Sequence, residues 1–311
     1  MEYFGSAIQV MYPIFIYMGL GFLLKKWKWI DYKTVSKLNK LMFRLFLPIK
    51  LLLEILQSDF STAFDQKLIL FLVLAILVWV VILSVIIPIF IKTENISVVI
   101  QGIFRSNYVL FGMAVVANLY PGQNLGVVSV ISAFVVPLYN VLAVVIFAVF
   151  GKVKISPQLL LKQIVTNNLV VAGVIGIILS LFQIQPTGVW IQPFEALGNC
   201  AAPLALICIG TTISMRNLTK YKKELAVILT GRLVILPFIM VMIAILLGVR
   251  NMELAAVCIV FGAPIAASSY PMASEMGGNG ELAGIAVAVS SVFSLFTMFI
   301  LIYVLKLNGV L

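Results

Sequence analysis

Ten runs of about 20 apolar residues, centred near positions 15, 47, 79, 108, 138, 171, 204, 236, 264 and 294, leave this chain few ways to fold. In hydrocarbon every backbone N–H and C=O has to find a partner within the protein, so runs of that length become helices. Barrel strands would instead read as short alternating stretches. Composition agrees, with 63% hydrophobic residues, only 10% charged and a mean hydropathy of +1.17. The expectation is an all-α membrane protein with ten transmembrane helices. No basic segment precedes the first run and no small-residue cleavage site follows it, so it reads as a retained helix rather than a signal peptide.

Lysine and arginine are unevenly shared between alternate loops. One side carries Lys25, Lys26, Lys28, Lys33, Lys92, Lys152, Lys154, Arg216, Lys220, Lys222 and Lys223, and the other little beyond Lys67, Arg250 and Lys306. The positive-inside rule makes the first side cytoplasmic, which explains a formal charge of +10 without a nucleic-acid partner. An even number of spans then places both termini outside the cytoplasm, in a cell membrane. Trp27 and Trp29 on one side and Trp190 on the other suit the two aromatic belts.

The fourth run is interrupted by Arg105-Ser106-Asn107, and the ninth is interrupted at the matching point by Ala263-Pro264-Ile265. A shift of 157 residues puts Phe104 on Phe261, Leu125 on Leu282, Val135 on Val292, Leu138 on Leu295, Tyr139 on Phe296 and Asn140 on Thr297. A shift of 155 puts Pro48 on Pro203 and Gly21 on Gly176. Residues 1–150 and 159–311 therefore read as two five-helix repeats, joined by a polar cytoplasmic linker at 151–158 that holds Lys152, Lys154 and Pro157. Because five is odd, the second repeat inserts inverted, the pattern of secondary transporters built on crossing broken helices four and nine.

Several chemistries are disfavoured. Cys200, Cys208 and Cys258 lie inside spans, where a thiol is a small packing residue, and they imply neither disulfide nor metal. There is no histidine, no Gly-rich phosphate loop and no metal-ligand cluster. A His-based proton relay is excluded, and neither an ATP-driven pump nor a cofactor is expected. A membrane-embedded transferase would want paired intramembrane carboxylates, which are not visible, so no enzyme is expected.

The breaks hold the candidate site. Pro264 lacks a donor and clashes with the preceding turn, which forces a break. Asn107 either mends the backbone of its own helix or offers its amide to a ligand carboxylate. Crossing two broken helices brings half-helix N-termini and C-termini together, so the dipoles alone leave the sign of the ligand open, and Arg105 tips it toward an anion. Arg105 is either a structural counter-charge or a direct contact. Ser106, Tyr108, Ala263 and Ile265 flank the breaks. Tyr139 and Asn140, just past Pro137, face either the cavity or a neighbouring helix. Ser268 and Ser269 bond either to their own helix or to ligand. Lys50 and Glu54 stand one turn apart and can neutralise each other, while Arg44 and Arg232 are placed to snorkel to the cytoplasmic face. Glu275 and Glu281 flank a solvated turn, Pro48, Pro203 and Pro237 are expected to kink their helices, and Gly173 and Gly176 to allow close packing.

Leu47-Pro48, Arg105-Ser106-Asn107 with Gly112, Pro137-Leu138-Tyr139-Asn140, Ala202-Pro203-Leu204-Ala205-Leu206 with Gly210, and the stretch from Ala263 to Glu275 occur in the order and spacing of one family. Over essentially its whole length the chain resembles the auxin efflux carriers, which include plant auxin exporters and bacterial carriers of malate and malonate. The resemblance implies a fold related to bile-acid symporters and sodium/proton antiporters. It implies a scaffold of helices 1, 2, 6 and 7, a mobile transport domain of helices 3–5 and 8–10, elevator-type alternating access and a homodimer in the lipid membrane. Plant members carry Pro before the crossover Asn where this chain has Ser106. The expected function is secondary active or facilitative transport of small organic anions, with a dicarboxylate such as malate or malonate favoured. The alternatives are a sodium-coupled organic anion symporter of the bile-acid type and a membrane receptor or scaffold.

Overall fold

The structure is a computed structural model that describes residues 16–56, 65–92, 94–108, 126–151, 165–184, 188–212 and 219–311, with isolated positions at 111, 115–116, 119–120, 158 and 161–162. Gly112, Arg216 and the linker's Lys152, Lys154 and Pro157 lie outside the described residues. Helix α1 covers 16–26, followed by α2 (Tyr32–Leu41), α3 (Leu47–Leu56), α4 (Gln66–Phe90), α5 (Ile96–Phe104), α6 (Gly126–Phe150), α7 (Asn168–Leu181) and α8 (Gln192–Thr212). Then come α9 (Lys222–Thr230), α10 (Leu236–Leu246), α11 (Asn251–Gly262), α12 (Ser269–Glu275) and α13 (Gly280–Leu307). Four stretches, Gln66–Phe90, Val130–Phe150, Lys222–Leu246 and Gly280–Leu307, are long and apolar enough to cross a membrane.

Helix α4 shows how the sequence meets lipid. Asp65 caps it by accepting from the N–H groups of Lys67 and Leu68 at 2.7 and 3.2 Å. Leu68, Leu72, Ile76, Val80, Leu83 and Ile87 recur at helical spacing and are buried. The opposite face is equally apolar, with Leu70, Leu74, Val78, Val81, Val85 and Ile89 exposed. A helix apolar all round with one face bare suits a hydrocarbon solvent.

Two helices carry a π turn just before a proline. Met42–Phe46 joins α2 to α3 ahead of Pro48, and Gly231–Ile235 joins α9 to α10 ahead of Pro237. Proline removes one donor and crowds the carbonyl four residues back. In both helices the N–H just before the proline reaches back five residues instead, Leu47 to Met42 O and Leu236 to Gly231 O. The expected kinks at Pro48 and Pro237 are thus taken up as wider turns.

Helix α3 packs on α7 and α8, whereas α4, α5, α6 and α9 to α13 pack among themselves. The two sets meet where α3 and α7 touch α6, where α8 touches α13 and α12, and where α2 and the Met42–Phe46 turn touch α12. Helices α1 and α8 approach backbone to backbone, since a Cβ added at Gly21 would overlap Ile207 O and one at Gly210 would overlap Met18 O. Gly176 similarly admits Ile55, and Gly173 admits Pro137. Lys50 Nζ donates to Asn199 Oδ1 of α8 at 3.0 Å, while the Glu54 side chain lies outside the described residues.

Candidate functional site

Helices α5 and α11 both stop half-way, and the extended segments that follow them cross. Pro264 disfavours the helical region for the residue before it, and Ala263 duly adopts ψ 155°. The first break has no proline; Arg105 is extended at ψ 114° because its neighbours pair with the second break. Ser106 and Ile265 form an antiparallel bridge, Asn107 N donates to Pro264 O at 2.8 Å and Ala266 N donates to Arg105 O at 3.4 Å.

Each break frees carbonyls that need donors away from water. Arg232 supplies most of them. Its Nε donates to Ala263 O at 2.8 Å, Nη1 to Ile103 O and Phe104 O at 3.2 Å each, and Nη2 to Val260 O at 3.1 Å. Val260 O also accepts from the Tyr139 hydroxyl at 3.1 Å, and Ile259 O accepts from Ser106 Oγ at 3.2 Å. Ile265 N donates to Ser290 Oγ at 3.2 Å. Arg232 is 0% exposed, so it does not snorkel to a face as its sequence position suggested. It lies in the π turn ahead of Pro237 and neutralises the negative ends of both half-helices.

Arg105 is thereby left free of backbone repair. It is 3% exposed, and its Nη2 donates to Asn140 Oδ1 at 2.5 Å and Ser268 Oγ at 2.9 Å, while Nη1 reaches Met272 Sδ at 2.7 Å. All three acceptors are neutral, and among the described residues no carboxylate pairs with it. On the lysine-rich side of this cluster lies a cavity of about 910 Å³, walled by Lys25, Asp31 and Lys40 on one flank and by Tyr270, Ser274 and Glu281 on the other.

A model of the membrane transport protein family matches residues 6–302. The chain belongs to that family. It is the one anticipated from the auxin efflux carrier motifs, and it makes this all-helical protein a multi-pass membrane transporter. A search of curated proteins finds no match to the chain.

The transporter gathers all ten residues singled out in the sequence near the crossing, but in different roles. Ser106, Ala263, Pro264 and Ile265 build the crossing itself. Asn107 is 8% exposed and uses its backbone there, while its side-chain amide makes no hydrogen bond among the described residues. Asn140 and Ser268 hold Arg105. Tyr139 faces the neighbouring backbone, its ring 6.0 Å from that of Phe104, and the Tyr108 hydroxyl donates to Val128 O at 2.9 Å, so both are buttresses. Sequence reasoning missed the roles of Arg232, Gln101 and Met272. For Arg232 a signal existed, an arginine five residues before a proline in an apolar run. For the other two, partners 171 and 167 residues apart gave none.

Proposed function

We propose that this transporter carries small organic anions, with a dicarboxylate of the malate or malonate kind favoured, by binding them at the crossing of its two broken helices. One observation carries the reading. Arg105 is a fully buried cation whose side-chain partners are an amide oxygen, a hydroxyl and a thioether. An arginine deep in a membrane protein costs about 2.5 to 3.5 kcal/mol on insertion scales and is kept for a purpose. Its purpose is not backbone repair, which Arg232 performs. A bound carboxylate gives it the charged acceptor it lacks.

Packing supports a division of the helices into two sets. Helices α1, α2, α3, α7 and α8 act as a scaffold and the others as a transport domain that slides past it, in two inverted repeats of five spans each. The division into two sets that each pack mainly among themselves favours an elevator-type motion. The lysine-rich loops face the cytoplasm, both termini face outward in the cell membrane, and the cavity of about 910 Å³ then opens inward. With Arg232 filling the place where carbonyl oxygens converge, no bound sodium is needed, which argues against a sodium-coupled symporter. The working unit is taken to be a homodimer.

The experiment is uptake of radiolabelled malate and malonate into proteoliposomes, with and without sodium, by the parent and by Arg105→Gln. The parent is expected to transport in sodium-free buffer and the neutral variant to lose transport. Strict sodium dependence in the parent, or full activity in the variant, refutes the reading.

A further inference from the structure

Gln101 lies in the last turn of α5 and Arg105 just past its end, and both are buried. Gln101 Nε2 and Arg105 Nη1 converge on a single atom, Met272 Sδ, at 3.3 and 2.7 Å. Met272 is 0% exposed. A thioether is a weak acceptor, so a guanidinium and a primary amide that both point at one are poorly matched. The other end of the amide is worse off, because Gln101 Oε1 is buried with no partner. So is the hydroxyl of Ser269, next to the serine that holds Arg105 Nη2. Native interiors leave few such groups unpaired, and two of those here belong to residues whose own atoms or chain neighbours are engaged with Arg105 or its thioether.

We propose that Met272 Sδ occupies the seat of a carboxylate, and that the carried anion docks by displacing it and taking Arg105 Nη1 and Gln101 Nε2 as donors. The proposal rests on the anion reading above and names the seat. Replacing a thioether by a carboxylate turns the weakest contact of Arg105 into a charge-assisted hydrogen bond. Methionine has three rotatable bonds and adapts to irregular gaps, so its side chain leaves without moving its helix. Met272 lies on α12 two residues from Tyr270 and from Ser274, which line the lysine-side cavity, and it points from the opposite face of that helix toward Arg105. Meanwhile Asn140 and Ser268 keep Nη2 in place, and the guanidinium stays aimed while Nη1 changes partner.

The test measures malonate and malate affinity calorimetrically for the purified parent, Met272→Ala and Gln101→Met. With no side chain to displace, Met272→Ala is expected to bind both anions at least about five-fold more tightly. Gln101→Met keeps the length of glutamine and leaves no cavity; it is expected to unfold at the parent's temperature and bind at least about ten-fold more weakly. Affinity of Gln101→Met within about two-fold of the parent overturns the proposal whether or not Met272→Ala folds. A folded Met272→Ala that binds no more tightly overturns it too. If the parent neither binds nor transports any organic anion, it is the anion reading that falls.

Discussion

Removing the guanidinium of Arg232 with Arg232→Met leaves four carbonyls without their donor. Val260 O keeps the Tyr139 hydroxyl, so Ala263 O, Ile103 O and Phe104 O are orphaned. An unsatisfied buried acceptor costs about 1–3 kcal/mol, giving about 3–9 kcal/mol for the set. Relief from burying a charge returns about 3 kcal/mol. The net loss centres near 3 kcal/mol, or about 6–12 °C in unfolding temperature by the scaling of soluble domains. Arg44 supplies the control, since it sits in the other π turn ahead of Pro48 but is exposed. Arg44→Met should stay within about 0.5 kcal/mol of the parent. The assay is thermal unfolding in detergent, followed by intrinsic fluorescence and by loss of the monodisperse peak. An Arg232→Met protein that unfolds within about 2 °C of the parent would refute the assignment of Arg232 as the donor that closes both breaks.

Asn107→Ala should fold like the parent, because the side chain makes no hydrogen bond among the described residues, yet lose about ten- to a hundred-fold in anion affinity, read by calorimetry. Gly21→Ala should force α1 from α8 and lower the unfolding temperature and folded yield, whereas Gly19→Ala, with nothing within 4 Å, should be silent. Single cysteines at Lys26 and Lys220 should resist impermeant thiol reagents in intact cells and one at Arg250 should react, and the opposite pattern would reverse the proposed orientation. The Thr34 hydroxyl and N–H hold the Asp31 carboxyl below its ordinary 3.8. That cap is complete above the ordinary value and is lost as pH falls through the lowered one, so Asp31→Asn should flatten the acid side of a stability profile only below about pH 4.

What the sequence revealed was whatever a single residue dictates locally. Pro264 disfavours helix at Ala263 wherever it sits, so the second break was legible, and the polar triplet at Arg105 to Asn107 marked the first because little else explains it within an apolar run. Arg232 was misplaced because distance from a span's end says nothing about which way a side chain faces. Its inward turn depends on the π turn, which Pro237 signals only to a reader who asks where the missing hydrogen bond goes. Arg105 was found, but its division of labour with Arg232 was not, since that depends on which arginine lies nearer the freed carbonyls. Tyr139 could have faced cavity or helix, and only the position of Val260 O decided between them. Gln101 and Met272 carry no polar pattern of their own and acquire meaning only from each other.

The bridge between Ser106 and Ile265 also sets an order of assembly. A ribosome delivers the first broken helix well before the residues that pair with it, so while the early spans enter the bilayer, Asn107 N–H and Arg105 C=O lack the partners they will hold. Arg232, which closes the carbonyls at Ile103 and Phe104, comes later still than the whole first half. That first half therefore inserts unfinished, and the lesion at its centre heals only when α11 and the residues after it arrive to clasp it. Expressed without the second half, residues 1–150 should behave as prey for membrane quality control rather than as a small stable bundle.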